Sequence, residues 1–242
     1  MNNKNEQEKK NKLQKVLFYG RTLEEYVKMF DLHLSLWKDC KILDCPSGPA
    51  SFVAEANQLG MDVVGCDILY GEQIDALINT GMQDITIKIQ ISENYAEKLS
   101  KNFYSSIESM EEYAASALKK FAEDYPVGRK ENRYIQAQLP NLPFPDNNFD
   151  LVLSGYLLFC YPKLDNKDYQ FDYQFHVHAV KELLRVSKKE VRIFPVSKLG
   201  GKLHEYVDNL LNDLHQEGIV SDIRTVEYES SQGINQLLCL SI

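Results

Sequence analysis

The chain has 242 residues and 44% hydrophobic content, which is enough apolar material for a well-buried core. Acidic residues outnumber basic ones, 35 to 27, and the formal net charge of -8 disfavours binding to a nucleic-acid backbone. No apolar run approaches the roughly 18 residues of a membrane helix, and no secretory signal is visible, so we expect a cytoplasmic protein that binds neither nucleic acid nor membrane.

The ordered domain is expected over residues 16–242, after a polar leader of mixed charge at 1–15 that is typical of a frayed or disordered end. Thr22 and Glu25 have the spacing of a capping box, which predicts a helix there. Its apolar stripe continues to Leu36, so the helix should extend about that far.

The next stretch, KILDCPSGPASFVAEANQLGMDVVGCD, predicts strand, helix and strand. KILDC is the first strand, Ala50 to Gln58 is the helix that Gly60 ends, and DVVGCD is the second strand. Two strands joined by a helix of this length indicate a right-handed βαβ unit and a parallel sheet.

About sixty residues then separate the second and third strands, far more than an ordinary connection needs. This excess predicts a helical insertion at about 71–130. Ser105 and Glu108 have capping-box spacing and predict one helix, and apolar residues from Tyr95 to Phe103 suggest another. The run ITIKIQI alternates like a strand but lies between helical patterns, so both interpretations stay open here.

The remaining chain returns to alternating strands and helices. RYIQAQ, FDLVLSG and EVRIFPV are predicted strands, and FHVHAVKELLRV and LHEYVDNLLNDLHQEG are predicted helices, the second of which Gly218 ends. IVSDIRTVEYE and INQLLCLSI follow, joined by the turn-rich SSQG, which favours an antiparallel hairpin.

The five cysteines are odd in number and lie in apolar runs, without the short paired spacing of zinc sites. They are Cys40, Cys45, Cys66, Cys160 and Cys239. We interpret them as reduced side chains that pack as small hydrophobes, and we expect no metal site.

The loop after the first strand indicates the kind of ligand. A strand that turns through Gly48 into a helix N-terminus offers backbone N–H groups at the carboxyl edge of a parallel sheet, where nucleotides bind. Dinucleotide folds use three glycines there, whereas this loop has Pro46, Gly48 and Ala50. Because Pro46 lacks the N–H donor that a phosphate needs, the loop suits a ligand with an adenosine end and no phosphate.

The chain resembles the class I S-adenosylmethionine-dependent methyltransferases in three features that occur in this order: ILDCPSGPA, Asp67 and LPFPDNNFDLVLSG. The resemblance covers roughly Lys41 to Asp67 and Tyr134 to Ile242. It implies a three-layer, Rossmann-like α/β fold with a seven-stranded, mostly parallel sheet and an antiparallel C-terminal strand. It also implies S-adenosyl-L-methionine as the cofactor.

The resemblance implies roles for individual residues around that cofactor. Asp44, Pro46 and Gly48 would face its methionine portion, and Asp67 would accept hydrogen bonds from both ribose hydroxyls. The other cofactor positions that it implies are Arg21, Ile68, Gln138, Leu139 and Ser154.

Among these, Ile68 and Leu139 would pack on the two adenine faces, and Gln138 would accept from the adenine amino group. Ser154 would offer its backbone carbonyl to the cofactor ammonium. Arg21 or Tyr19 could cover the cofactor carboxylate, with a solvated arginine as the open alternative.

Methyl transfer is an in-line displacement that depends on alignment and exclusion of water, with a base where the acceptor must lose a proton. The candidate bases are Tyr156, Tyr161, Asp165, His176 and His178, of which Tyr156, Tyr161 and His176 are favoured. The aromatic residues after the fourth strand and in the insertion form either a lid over the acceptor or core packing.

The sequence therefore predicts a methyltransferase that acts on a small-molecule acceptor. The alternatives are a non-catalytic S-adenosylmethionine-binding or scaffold relative, and a nicotinamide-dependent oxidoreductase. The acceptor and the oligomeric state are not indicated by the sequence.

Overall fold

The computed structural model describes residues 15–161 and 171–242, and these residues form a seven-stranded sheet. Its strands are β1 (Lys41–Asp44), β2 (Asp62–Asp67), β3 (Tyr134–Gln136), β4 (Phe149–Gly155), β5 (Ser187–Phe194), β6 (Val220–Thr225) and β7 (Gln236–Ser241). The strand order is β3-β2-β1-β4-β5-β7-β6. β1 to β5 are parallel, and β7 runs antiparallel to both of its neighbours. The predicted fold class, including the C-terminal hairpin, is confirmed.

Helices cover both faces of the sheet. They are α1 (Leu23–Met29), α2 (Phe52–Gln58), α3 (Ile74–Asn94), α4 (Ile107–Lys130), α5 (Tyr173–Val186) and α6 (Val207–Gln216), with short 3-10 turns at Leu34–Leu36 and Ala96–Lys98. Successive strand residues point to opposite faces of the sheet and belong to two separate hydrophobic cores. Ile42 and Leu151 pack with α1 to α4, whereas Leu43 and Val152 pack with α5 and α6. This alternation produces the three layers.

The capping box of α1 is confirmed, but the predicted length of the helix is wrong. Glu25 N donates to Thr22 Oγ1 at 3.3 Å, and Thr22 N donates to Glu25 Oε2 at 2.8 Å. The helix ends at Met29 because Asp31 takes a left-handed backbone conformation, with φ of 50°. Leu36, which the stripe included, is an exposed residue of the following 3-10 turn.

The long connection between β2 and β3 contains α3 and α4. ITIKIQI lies inside α3, so the strand alternative is wrong: Ile85 and Ile89, four positions apart, are buried, whereas Thr86 and Gln90 are exposed. Burial of one helical face against α4 decides this segment.

Two expectations for the same connection need correction. Ser106, not Ser105, caps α4 by accepting from Ser109 N at 3.2 Å. The helix expected over Tyr95 to Phe103 is only the short turn at Ala96–Lys98. Throughout the part of the chain that the structure describes, no helix has the length and apolar character that crossing a membrane requires.

Candidate functional site

A cavity of about 860 Å³ opens at the carboxyl edge of the sheet. The loop after β1, the ends of β2 and β4, α3 and the segment Lys15–Arg21 contribute to its wall. Its size is within the usual range for small-molecule sites, and its position is where open α/β sheets bind ligands. Of the predicted site residues, those on its wall are Arg21, Pro46, Gly48, Asp67, Ile68, Gln138, Leu139, Tyr156 and Tyr161.

The loop after β1 is fastened to the end of β2. Ser47 N donates to Cys66 O at 2.9 Å, and Gly48 N donates to Asp67 Oδ2 at 3.1 Å. Gly48 has φ of 53°, a left-handed conformation that glycine adopts without strain. The hydroxyl of Tyr70 donates to the Gly48 carbonyl at 2.5 Å. The loop is therefore a fixed element of the cavity wall.

Asp67 has its carboxylate at the junction of loop and strand. Its Oδ1 accepts from Leu69 N at 2.9 Å and its Oδ2 from Gly48 N, so each oxygen keeps a lone pair for another donor. Burial raises the pKa of Asp67 to about 6, opposed by the hydrogen bonds from the backbone of Leu69 and Gly48. The carboxylate is 8% exposed, and Ile68 beside it is 40% exposed.

Asp44 and Ser154 lie beneath the cavity rather than on its wall. The Asp44 side chain is fully buried, and its Oδ2 accepts from the hydroxyl of Tyr26 at 2.8 Å. Its Oδ1 has no hydrogen-bond partner among the described residues. Burial raises the pKa of the Asp44 carboxyl group to about 7. Asp44 is thus a buried group beside the wall residues Cys45 and Tyr26, and it is not on the wall itself.

The side chain of Arg21 enters the cavity from the chain before α1. Its guanidinium lies 3.5 Å from the centroid of the Tyr156 ring, and its Nε donates to the Tyr228 hydroxyl at 3.4 Å. Glu25 lies behind it, with Oε1 3.9 Å from Arg21 Nε. Glu25 is 1% exposed and also accepts from the Tyr104 hydroxyl. The sequence showed Glu25 only as a capping residue, and its hydrogen bonds from the Tyr104 and Tyr228 hydroxyls join segments that are distant in the chain.

Tyr156 and Tyr161 are on the wall, but burial raises the pKa of both phenols, that of Tyr161 to about 12, so both keep their protons at neutral pH and are not available as bases. The Tyr161 hydroxyl accepts from Leu17 N at 3.2 Å, and the Tyr156 hydroxyl lies 3.1 Å from Ser230 Oγ. Tyr156 has φ of 54°, an uncommon conformation that often marks functional sites.

His176 does not line the cavity, so the structure does not support it as a base. Its Nε2 lies 3.2 Å from Phe159 N and accepts its hydrogen, and its Nδ1 lies 2.7 Å from the Asp172 carbonyl. Burial lowers its pKa. His178 is exposed on α5, and Asp165 lies outside the described residues.

Sequence reasoning missed the contribution of α3. Asp84 is fully buried on the cavity wall, where its Oδ2 accepts from Phe18 N at 2.8 Å and its Oδ1 lies 2.7 Å from Lys15 Nζ. Lys88, one turn later, also lines the cavity. The available signal was a lone lysine and a lone aspartate in the apolar run DITIKIQI, four positions apart on one helical face.

The aromatic residues of the insertion and those after β4 have different positions. Tyr104 and Tyr125 of the insertion are buried in the core, where Tyr125 contacts Phe121 at 5.1 Å between ring centroids. Phe171 and Phe175, after β4, line the cavity instead. Among the described residues, Phe171 and Phe175 are therefore positioned to contact a ligand in the cavity.

Comparison with known proteins gives three kinds of match. A family model described as a methyltransferase domain matches residues 89–194, which include β3, β4 and β5. An uncharacterised protein of Methanocaldococcus jannaschii is 30% identical over 229 residues, 94% of this chain and 97% of that protein.

Among solved structures, magnesium protoporphyrin IX methyltransferase of Synechocystis, with bound S-adenosylmethionine, is 13% identical at a TM-score of 0.48, over 90% of this chain and 80% of that one. The 1,6-didemethyltoxoflavin-N1-methyltransferase of Burkholderia thailandensis is 13% identical at a TM-score of 0.49, over 90% of this chain and 76% of that one.

Proposed function

Because the chain belongs to the class I S-adenosylmethionine-dependent methyltransferases, we propose that it transfers the methyl group of S-adenosyl-L-methionine to a small molecule bound in the cavity. One observation carries the proposal: the Asp67 carboxylate lies against the Gly48 loop and borders a cavity that continues past Arg21 and Tyr156.

The residues at the loop suit the nucleoside end of the cofactor. The free lone pairs of Asp67 would accept from the two ribose hydroxyls, as charge-assisted hydrogen bonds. Ile68 and Leu139 would enclose the adenine ring, and Gln138 would accept from its amino group. Pro46 offers no N–H to a phosphate, which agrees with a cofactor that has none.

The residues farther along the cavity suit the amino-acid end. Arg21 has one side occupied by Tyr228 and Glu25, and its remaining N–H groups would pair with the cofactor carboxylate. The backbone carbonyls at the end of β4, near Gly155, would accept from the ammonium. Asp44 would support the loop from below rather than contact the cofactor.

The cofactor supplies an electrophilic methyl group, and the protein supplies alignment. Tyr156 in its left-handed conformation, with the Arg21 guanidinium against its ring, would fix the wall beside the transferred methyl group. Tyr161 keeps its proton at neutral pH and would act as a hydrogen-bond donor or wall rather than as a base.

The two rival functions make different demands. A nicotinamide-dependent oxidoreductase needs a pyrophosphate-ready loop, whereas this chain has Pro46 in that loop and a reversed β7. A non-catalytic relative would bind the cofactor but not turn it over. Location in the cytoplasm and the lack of nucleic-acid binding stay predictions from composition.

Calorimetry with S-adenosylhomocysteine and with NADH tests the proposal. We expect saturable binding of S-adenosylhomocysteine and none of NADH. Absence of S-adenosylhomocysteine binding by the folded protein refutes the proposal. Binding without any methyl transfer from labelled S-adenosylmethionine to small molecules of a cell extract supports the non-catalytic alternative.

A further inference from the structure

The wall of the cavity carries more positive than negative charge, although the chain has a net charge of -8. Its basic residues are Lys15, Arg21, Lys88 and Lys198, and its acidic residues are Asp67 and Asp84, within the part of the chain that the structure describes. Lys15 is paired with Asp84, and Lys198 with Glu205. Glu25 lies behind Arg21. Lys88 is thus the basic wall residue for which no carboxylate partner is present among the described residues.

Lys88 belongs to α3 and is one of the residues that line the cavity. It lies four positions after Asp84 on the same helical face. No described residue accepts a hydrogen bond from its ammonium. Burial and, to a smaller extent, the positive charge of Arg21 lower the pKa of Lys88 to about 8. A half-buried ammonium without a counter-charge is unfavourable, and an anion bound beside it would offset that cost.

The surroundings of Lys88 distinguish between the anions that could bind. A phosphate carries a charge near -2 and needs several donors at once. Lys88 is one ammonium, and the same cavity is also lined by aromatic rings, among them Phe171 and Phe175, whose centroids are 4.9 Å apart. A single carboxylate on an apolar body matches this combination.

We propose, on the basis of the proposed function, that the methyl acceptor is a small organic acid whose carboxylate pairs with Lys88. Its apolar body packs against Tyr161, Phe171 and Phe175. Arg21 is then left for the carboxylate of the cofactor. The acceptor chamber of this enzyme selects by charge as well as by shape.

The test uses matched pairs of acids and amides with the protein saturated with S-adenosylhomocysteine. The probes are benzoate, phenylacetate, 3-phenylpropionate and indole-3-acetate, each beside its uncharged amide, and binding is measured by calorimetry or ligand-observed NMR. We expect at least one acid to bind about tenfold or more tightly than its amide. Lys88→Met should remove that preference, and Lys88→Arg should retain most of it.

Lys119→Met is the matched control, because Lys119 is an exposed lysine of α4 outside the cavity wall. It should leave every affinity within about twofold. Affinity for S-adenosylhomocysteine should be similar in wild type, Lys88→Met and Lys119→Met, which shows that each variant is folded.

Two outcomes overturn the inference: no acid binds better than its amide, or the preference survives Lys88→Met. Either result, with S-adenosylhomocysteine still bound, rejects the acidic acceptor and leaves the proposed methyltransferase intact. Failure of S-adenosylhomocysteine to bind wild type rejects both.

Discussion

Replacing Asp67 with asparagine should change both the cofactor affinity and the pH dependence of stability. The pKa of Asp67 is raised from 3.8 to about 6 by burial. Between these values the folded protein binds more protons than the unfolded chain, so the free energy of unfolding falls as the pH rises from about 4 to about 6. A shift of about two units at 1.36 kcal/mol each corresponds to about 3 kcal/mol.

Asparagine cannot ionise, so Asp67→Asn should lose this part of the pH dependence. The absolute stability at pH 7 is a poorer test, because the amide offers one acceptor oxygen to two backbone donors, Gly48 N and Leu69 N. One unpaired donor costs about 1–3 kcal/mol, which offsets the gain. The informative quantity is the difference between the two pH profiles.

Urea unfolding of the apo protein from pH 4 to pH 8 measures those profiles. Asp62→Asn is the control, because Asp62 is exposed at the opposite end of β2 and should leave the profile unchanged. Parallel profiles for wild type and Asp67→Asn would refute the assignment of a buried, proton-binding carboxylate.

The same substitution should weaken S-adenosylhomocysteine binding. Loss of one charge-assisted hydrogen bond costs about 1.5–3 kcal/mol, or roughly 10- to 150-fold in affinity. Wild-type affinity should fall as the pH drops below about 6, where Asp67 becomes protonated, and the variant should lack this fall. Equal affinities at pH 8 would show that Asp67 does not contact the ribose.

Two further predictions concern neighbouring parts of the site. Tyr70→Phe removes the hydroxyl that donates to the Gly48 carbonyl, and it should weaken S-adenosylhomocysteine binding about 3- to 10-fold in calorimetry. An unchanged affinity would show that the loop keeps its shape without this hydrogen bond. His176→Leu should lower the free energy of unfolding, measured in urea, by about 1–3 kcal/mol, because it leaves the buried Phe159 N unpaired. The affinity for S-adenosylhomocysteine should stay within about twofold of wild type. A large loss of affinity in a folded variant would place His176 in the binding site.

Local pattern was sufficient for most of the fold. The alternation of strands and helices, the loop at Gly48 and the reversed C-terminal hairpin each depend on residues close in sequence, so the parallel sheet and its reversed end followed from them. Errors arose where local signals compete. ITIKIQI has the period of a strand, and only its packing against α4 makes it a helix.

The candidate site also has features that local sequence predicts and features that only packing determines. The sequence alone determined that an acidic residue ends the second strand and that a glycine loop precedes that strand, because both belong to one βαβ unit. Only the tertiary structure decided that Lys88 and Asp84 reach the cavity from the insertion and that His176 lies outside. These placements depend on contacts between segments far apart in the chain, and residue spacing carries no information about such distances.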